Sequence, residues 1–197
     1  VEYLGPPALG GVEMVVETLS RQFVAAGHEV QIWCTNFTAF GGRRHKEPSA
    51  TYAGTSIRRF PAQASRLFLL DPYHLRWLNL KLALIEQARA GAVIHLHPFP
   101  SSHAMMALAA LEVGGTIVIT PHHEVESLRR YRRLWRGKRI LAELLSAALK
   151  FPRLRLGLHT ELEANFWREE VGWPEKQLRV IPNGVDLQEF DQISDRE

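Results

Sequence analysis

The sequence predicts an α/β fold built on an open, mainly parallel sheet with helices on both faces. Short apolar segments alternate with stretches of helical periodicity along most of the chain. The apolar segments at 92–96, 116–120 and 154–158 are short and nearly continuous, which is typical of buried parallel strands. The 197 residues are 46% hydrophobic and 23% charged, and this composition suits one globular domain with a substantial core.

The first half of the chain predicts three strands and two helices. Strands at 1–3 and 29–35 flank a helix at 12–26, whose apolar residues recur at helical spacing and which Gly27 ends. The glycine- and proline-rich segment 4–11 and the polar segment 36–53 are expected to be loops. A third strand at 56–60 ends before Pro61, and the periodicity that follows predicts a helix at 73–89.

The second half predicts four strands separated by helices. Buried strands at 92–96 and 116–120 flank a helix at 102–113, with Ser101 or Ser102 as its N-cap. A helix at 137–150 carries its leucines on one side, and a strand at 154–158 follows. A helix at 160–170, capped by Thr160, and a strand at 178–181 complete the pattern. Ligands of such sheets bind outside the carboxyl ends of the strands.

The cysteine content and the distribution of apolar residues exclude several classes of protein. The formal net charge is +3, and Cys34 is the only cysteine, which excludes a disulfide framework and a cysteine-based zinc motif. No apolar run approaches the roughly 20 residues that a membrane-spanning helix needs. The sequence opens without the pattern of a signal peptide. We therefore expect a cytoplasmic location.

A pair of glycines, Gly10 and Gly11, precedes the first predicted helix. Glycines let a backbone approach a ligand closely, and the start of a helix offers free N–H groups to an anion. The same pair also suits a tight turn with a helix cap, and Glu13 then serves as a first-turn carboxylate that favours the helix dipole. The G-x-G-x-x-G spacing of dinucleotide-binding proteins is absent.

Histidines follow two neighbouring strands of the predicted sheet. His95 and His97 stand at the end of the strand at 92–96, and His122 and His123 follow the strand at 116–120. Because the carboxyl ends of parallel strands meet at one edge, these side chains are expected to lie close together. Histidines so placed either bind a metal, as in a metallohydrolase, or form a polar edge of the sheet. No His-Glu-x-x-His helix is present.

A cluster of positive charges lies between the strands at 116–120 and 154–158 and contains no acidic residue. We call this segment the basic cluster. It consists of one tryptophan and seven cationic residues: Arg129, Arg130, Arg132, Arg133, Trp135, Arg136, Lys138 and Arg139. Cationic clusters with an aromatic residue bind anionic lipid surfaces, and they also form solvated helix faces. Like charges repel when they have no partner, which favours an anionic membrane surface. Nucleic acid is not expected, because the rest of the chain supplies no recognition motif.

Five motifs, in order, resemble the N-terminal domain of the family-four retaining glycosyltransferases. These enzymes have two Rossmann-like domains that face each other across a cleft. The motifs are Gly10-Gly11 with its loop, Gly27-His28-Glu29-Val30, His95-Leu96-His97-Pro98, Thr120-Pro121-His122 and Ile181-Pro182-Asn183-Gly184-Val185-Asp186. The resemblance implies that residues 1–181 form a Rossmann-like, acceptor-side domain and that 182–197 begin the linker to a second, donor-binding domain.

The resemblance also implies an activity and its site. It implies transfer of a sugar from a nucleotide-diphosphate sugar to a lipid-linked acceptor or a small carbohydrate, with no bound cofactor and no metal. His122 is then the catalytic-site histidine that holds the transferred sugar, and Gly10 and Gly11 lie near the donor diphosphate. His97, Pro98 and Thr160 lie on the acceptor side.

The resemblance leaves alternatives open. Because the second domain would bind most of the nucleotide sugar, this chain alone is expected to be inactive and to bind the donor weakly.

Many members of the family act on lipid acceptors at the cytoplasmic leaflet, so the basic cluster is expected to bind the inner face of a membrane. The alternatives are a non-catalytic, membrane- or polyanion-binding Rossmann-like module and a histidine-based metallohydrolase.

Overall fold

The computed structural model describes residues 10–38, 43–52, 54–64, 75–77, 79–99 and 101–184. Within these ranges the chain is an α/β protein with one sheet of strand order β1-β3-β2, a two-stranded sheet and a parallel sheet of strand order β6-β7-β8-β9. The predicted α/β fold with a mainly parallel sheet is therefore confirmed. The predicted strand at 1–3, most of the loop at 4–11 and the segment after Gly184 lie outside the described residues.

The first sheet is built around a parallel pair of strands. Helix α1 (Gly11–Ala25) leads into β1 (Gln31–Thr35), which pairs with β3 (Thr55–Phe60). Strand β2 (Ser49–Tyr52) pairs with β3 in the antiparallel direction. The predicted loop at 36–53 is therefore wrong at β2. Its small and polar residues carry no apolar alternation, and the strand is held in place by its pairing with β3.

The helix predicted at 73–89 begins later than expected. Strand β4 (Ala62–Ala64) pairs in the antiparallel direction with β5 (Leu75–Trp77), and helix α2 runs only from Leu80 to Arg89. Asn79 has φ of 62°, a left-handed conformation that cannot continue a right-handed helix. The prediction is therefore wrong for the described residues before α2.

The second sheet is parallel throughout. It consists of β6 (Val93–Leu96), β7 (Thr116–Ile119), β8 (Leu154–Leu158) and β9 (Leu178–Val180). Ladder partners such as Ile94 with Ile117 and Ile119 with Leu156 set the register. All four strands therefore end at the same edge, as the sequence predicts, and this edge carries the candidate site.

The helices of the second half connect these strands. They are α3 (Ser102–Ala107) with a 3-10 turn (Leu108–Val113), α4 (Val125–Arg133), α5 (Trp135–Lys150), and α6 (Glu161–Asn165) with a π-helical turn (Phe166–Val171) and a 3-10 turn (Glu175–Gln177). The predicted N-caps are confirmed, because the Ser101 hydroxyl accepts from the Ala104 N–H and the Thr160 hydroxyl accepts from the Glu163 N–H. Helix α4 is an addition to the predicted elements.

An aromatic cluster fills the core beneath the second sheet's helices. Trp167 is fully buried, and its ring centroid lies 6.0 Å from that of Phe99, 5.6 Å from Phe166 and 5.5 Å from Trp173. These aromatic residues are therefore packing residues. Among the described residues, no helix combines the length and the apolar character needed to cross a membrane.

Candidate functional site

Three histidines from three successive strand ends form a connected chain of side chains. His97 follows β6, His122 follows β7 and His159 follows β8. His97 Nδ1 lies 2.6 Å from His122 Nε2, and His122 Nδ1 lies 3.2 Å from His159 Nε2. We call these residues the histidine chain. The parallel order of the strands brings them together, because each strand delivers its last residues to the same edge.

The outer end of the histidine chain is anchored on backbone groups. His159 Nδ1 lies 3.3 Å from the Ile181 carbonyl oxygen, just beyond the end of β9. The Ile181 N–H in turn donates to the Leu158 carbonyl at 2.6 Å. The His159 N–H donates to Glu163 Oε2 at 2.7 Å, which ties the residue to helix α6. His159 therefore connects β8, β9 and α6.

His122 has an unusual backbone conformation. Its φ of 57° lies in the left-handed region, which costs a residue other than glycine about 1–2 kcal/mol. Such conformations persist only where the surroundings fix them, and they cluster at functional sites. Both ring nitrogens of His122 contact other histidines, so a ligand that hydrogen-bonds to this ring must replace one of them.

A second layer of polar contacts surrounds His97. The His95 ring centroid lies 4.0 Å from that of His97, and His95 Nε2 lies 2.8 Å from the Thr120 hydroxyl oxygen. Gly157 leaves space for this hydroxyl, because a Cβ at that position would lie 3.3 Å from it. His103 Nε2–H donates to the His97 carbonyl at 3.1 Å. These contacts hold the His97 backbone and ring in place.

Burial keeps these rings neutral. It lowers the pKa of His95 to about 4, and it lowers the pKa of His122 to about 4 together with the nearby His159. The pKa of His97 is held well below its ordinary value by burial and then by His95 and His122. Neutral imidazole has one N–H donor and one acceptor nitrogen, so each ring can pair with a neighbour or a hydroxyl without carrying charge.

The arrangement of the histidines differs from that of a metal centre. Ligand nitrogens of a metal site converge on one point, whereas His122 uses its two nitrogens on opposite neighbours. Within the described ranges, no three His, Cys, Asp or Glu side chains are placed to hold a metal ion together. The geometry therefore gives no support to the metallohydrolase alternative.

Helix α1, which follows the glycine pair, packs on β3 of the first sheet. Gly10 and Gly11 are exposed, and the Gly10 N–H donates to Glu13 Oε2 at 2.9 Å. Glu13 thus serves as the first-turn carboxylate that the sequence predicts. It occupies the position beside the helix start that an anion would take.

Pro98 and Thr160 flank the histidine chain. Pro98 is half-buried and follows His97 through a cis peptide bond. Thr160 is exposed, and its hydroxyl caps α6. His159, between β8 and Thr160, is absent from the predicted site residues. Its position directly after a predicted buried strand is the signal that could have identified it.

The basic cluster contains more internal ion pairs than the sequence suggests. Arg129 Nη2 lies 2.7 Å from Glu170 Oε1, and Arg132 contacts the same carboxylate at 3.7 Å. Arg139 pairs with Glu143 at 2.9 Å. The premise that the cluster lacks acidic partners is therefore wrong for these three arginines. Glu143 lies on the same helix as Arg139, and Glu170 reaches α4 from the π-helical turn, far away in sequence.

The remaining described cations of the cluster are free to meet an external partner. Arg130, Arg133 and Lys138 are exposed, and within the described part of the chain they have no ion-pair partner. The side chains of Trp135 and Arg136 lie outside the described residues.

A parallel α/β sheet with polar side chains at its carboxyl edge defines a Rossmann-like ligand-binding domain. The family model of Glycosyltransferase Family 4 matches residues 9–189, and the chain belongs to this family. It is therefore a glycosyltransferase-type protein, and the predicted family membership is confirmed. A comparison with curated proteins finds no significant match.

Proposed function

We propose that this chain is the acceptor-side domain of a retaining glycosyltransferase. The reaction is transfer of a sugar from a nucleotide-diphosphate sugar to a lipid-linked acceptor or a small carbohydrate. The observation that carries the proposal is the histidine chain at the shared carboxyl edge of β6, β7 and β8. Family membership supports sugar transfer in general. The donor, the acceptor and the stereochemical outcome belong to the proposal.

Neutral histidines suit the binding of a sugar. Each presents a donor or an acceptor to a hydroxyl group without the cost of burying a charge. In this proposal His122 holds the transferred sugar, and His97, Pro98 and Thr160 line the acceptor side. Their contribution is orientation of the reacting groups and electrostatic stabilisation of the transition state, with no covalent step on a protein side chain.

The glycine pair has a separate role in the proposal. Gly10 and Gly11 lie near the donor diphosphate, so Glu13 must leave the Gly10 N–H before a phosphate oxygen can accept from it. A second domain beyond residue 181 supplies most of the donor contacts, which leaves this chain alone without turnover. The proposal includes no bound cofactor or metal and a cytoplasmic location.

Ligand-observed NMR tests the sugar site directly. The 197-residue chain is mixed with UDP-glucose, GDP-mannose or methyl glucoside, and saturation transfer to the sugar protons is measured. His122→Ala should reduce the transfer, whereas His28→Ala, a control in an exposed turn, should leave it unchanged. Equal transfer in both variants contradicts the role of His122, and rapid turnover by the chain alone contradicts the division of roles between domains.

A second proposal, peripheral binding to an anionic membrane, rests on the surface beside the basic cluster. A depression of about 470 Å³ lies between α4, α5 and the π-helical turn. Its lining combines charged and apolar side chains: Arg132, Arg133, Lys138, Glu170, Leu141, Ala142, Leu145 and Val171. Exposed cations beside apolar side chains are the combination that binds the headgroups and outer acyl region of anionic lipids.

Vesicle sedimentation tests this second proposal. The chain is mixed with phosphatidylglycerol–phosphatidylcholine vesicles at low salt, and the bound fraction is measured. The double substitution Arg133→Glu and Lys138→Glu should abolish retention, whereas Lys81→Glu with Arg89→Glu on α2 should change it little. Absence of retention of the unmodified chain contradicts the proposal. Retention without any sugar binding would instead favour the alternative of a non-catalytic, membrane-binding Rossmann-like module.

A further inference from the structure

A second group of cationic side chains lies around the carboxyl ends of β1 and β3, outside the basic cluster. We call this group the Arg59 cluster. Its members are Arg43, Arg44, His45, Lys46 and Arg59. Arg59 and its register partner Cys34 are each the last residue but one of their strands. The two strands are parallel, and ligands of parallel sheets bind outside the carboxyl ends of the strands.

Backbone hydrogen bonds hold the Arg59 cluster together. The Arg59 N–H donates to the Pro48 carbonyl at 2.7 Å. The His45 N–H donates to the Asn36 carbonyl at 2.7 Å, and the Asn36 N–H donates to the Phe60 carbonyl at 2.9 Å. The segment that carries His45 therefore lies against the end of β3, where Arg59 stands.

Among the described residues, the Arg59 cluster has no carboxylate partner. Glu47 is the only acidic residue between positions 31 and 64. Within the part of the chain that the structure describes, no ion pair joins Glu47 or another carboxylate to a member of this cluster. The basic cluster differs, because Glu143 and Glu170 pair with three of its arginines. Unpaired like charges repel each other, so an anion bound at this edge would be stabilising.

Two nitrogens of the Arg59 cluster are buried and have no hydrogen-bond partner among the described residues. They are Arg59 Nε and His45 Nε2. In the same part of the structure, the one side-chain hydrogen bond of Arg59 is long and runs from Nη1 to the Glu47 carbonyl at 3.5 Å. A buried donor without an acceptor is destabilising, and an acceptor supplied by a ligand removes that cost.

The charge of Arg59 acts on His45. Burial lowers the pKa of His45, the Arg59 charge lowers it further, and the Glu47 carboxylate opposes part of this change. The lowered pKa favours a neutral His45 ring beside the guanidinium. A neutral imidazole with its hydrogen on Nε2 donates from that nitrogen, so an acceptor oxygen can meet both His45 and Arg59.

Arg44 adds a second guanidinium beside His45. Its Nη1 donates to Asn36 Oδ1 at 3.4 Å, and its guanidinium carbon lies 4.3 Å from the Phe37 ring centroid. Stacking on an aromatic ring leaves the N–H donors of an arginine free at the edge of its plane. Arg44 is exposed, and the exposed Arg43 and Lys46 flank Arg44 and His45 in the sequence.

We propose that Arg59, His45 and Arg44 form a binding site for a phosphate group on a small molecule. Arginine binds two phosphate oxygens through its planar fork, and the imidazole N–H and the second guanidinium meet the remaining oxygens. A small molecule is favoured over a membrane surface, because two of the nitrogens are buried and a bilayer contacts exposed groups. Assignment of the phosphate to an acceptor sugar rests on the proposed function, whereas the phosphate site itself does not.

NMR of arginine side chains tests the site directly. Inorganic phosphate is titrated into the 197-residue chain at constant ionic strength, which keeps the screening of surface charges unchanged, and the Arg59 Nε–H resonance is followed. This resonance should shift and reach saturation. An unshifted Arg59 Nε–H in the folded chain would overturn the proposal.

Two neighbouring arginines provide a matched pair of variants. Arg59→Gln should weaken phosphate binding, measured by the phosphorus NMR line width, at least about tenfold. Arg58→Gln removes the same charge from the next residue, whose guanidinium lies over the rings of Trp33 and Phe60, and should change the affinity less than about twofold. Equal losses in the two variants contradict the site. If Arg59→Gln does not fold, the Arg59 resonance of the unmodified chain still decides the question.

The source of the phosphate is separated by a choice of ligands. Tighter binding of glucose-6-phosphate than of inorganic phosphate assigns the site to a phosphorylated sugar, and equal or weaker binding assigns it to free phosphate. Glucose should leave the Arg59 resonance unchanged, and an equal shift with glucose contradicts recognition of an oxyanion. A response to phosphatidylglycerol vesicles without a response to phosphate makes the cluster a membrane contact and overturns the proposal.

The phosphate site and the proposed function fail independently. A phosphate response of Arg59 without saturation transfer to any sugar removes the proposed function and leaves the phosphate site. Sugar binding that depends on His122, with no phosphate response of Arg59, removes the phosphate site and leaves the sugar site.

Discussion

Acidification should destabilise this fold through its buried histidines, and His95 allows the effect to be calculated. Burial lowers the pKa of His95 from 6.5 to about 4 in the folded chain. Between these values the unfolded chain binds a proton that the folded chain does not. The contribution of His95 to stability is therefore fully present above about pH 6.5, decreases as the pH falls and is exhausted near about pH 4.

The magnitude follows from the two pKa values. At about pH 5 the unfolded His95 is almost fully protonated and the folded His95 is largely neutral, which lowers the free energy of unfolding by about 2 kcal/mol relative to neutral pH. His97 and His103 act in the same direction, because burial holds the pKa of each well below its ordinary value. These three buried histidines should therefore account for most of the stability that is lost at the start of acid unfolding.

Urea denaturation of the unmodified chain and of the variant His95→Gln measures the contribution of His95 to the free energy of unfolding. His95→Gln keeps a polar group beside the Thr120 hydroxyl but does not titrate. Between neutral pH and about pH 5, the unmodified chain should lose about 2 kcal/mol more than this variant does. Carboxylates contribute equally in both proteins and cancel. His97 and His122 lose only the smaller part of their pKa shifts that His95 causes, because burial is the larger cause. Equal losses in the two proteins would refute the reasoning.

The other predictions concern packing. Gly137→Ala should cost more than about 2 kcal/mol of unfolding free energy, because its Cβ would lie 1.8 Å from the Tyr131 carbonyl oxygen where α4 meets α5. Gly11→Ala, with open space around its Cβ, should change that free energy by less than about 0.5 kcal/mol, and equal effects at both glycines would contradict this explanation. Trp167→Ala should cost about 3–5 kcal/mol in urea denaturation, and a loss below about 1 kcal/mol would contradict its place in the core.

The part of the site that the sequence predicts depends on parallel strand order. The segments 92–96 and 116–120 are apolar and short, so both strands and the meeting of His97 with His122 can be expected from the sequence. The same rule applies to His159 after the segment 154–158, but a single histidine beside a capping threonine carries no pattern of its own. The contact of His159 with the Ile181 carbonyl oxygen anchors the end of the histidine chain, and a pattern of side chains cannot show such a backbone contact.

Long-range contacts explain the features that sequence patterns miss. Strand β5 is short and pairs with β4, although the periodicity around it favours a helix. Glu170 neutralises part of the basic cluster because the π-helical turn places it beside α4. In each case the partner lies many residues away, where local periodicity holds no information about it.

The central claim is that the shared strand edge beside His122 is where this protein binds a sugar. A crystal structure of the chain soaked with a nucleotide sugar or a hexoside tests it most directly. We predict a sugar ring with a hydroxyl within hydrogen-bonding distance of His122 or His97. Density for the sugar at another surface, with the histidine chain unchanged and unoccupied, would contradict the account.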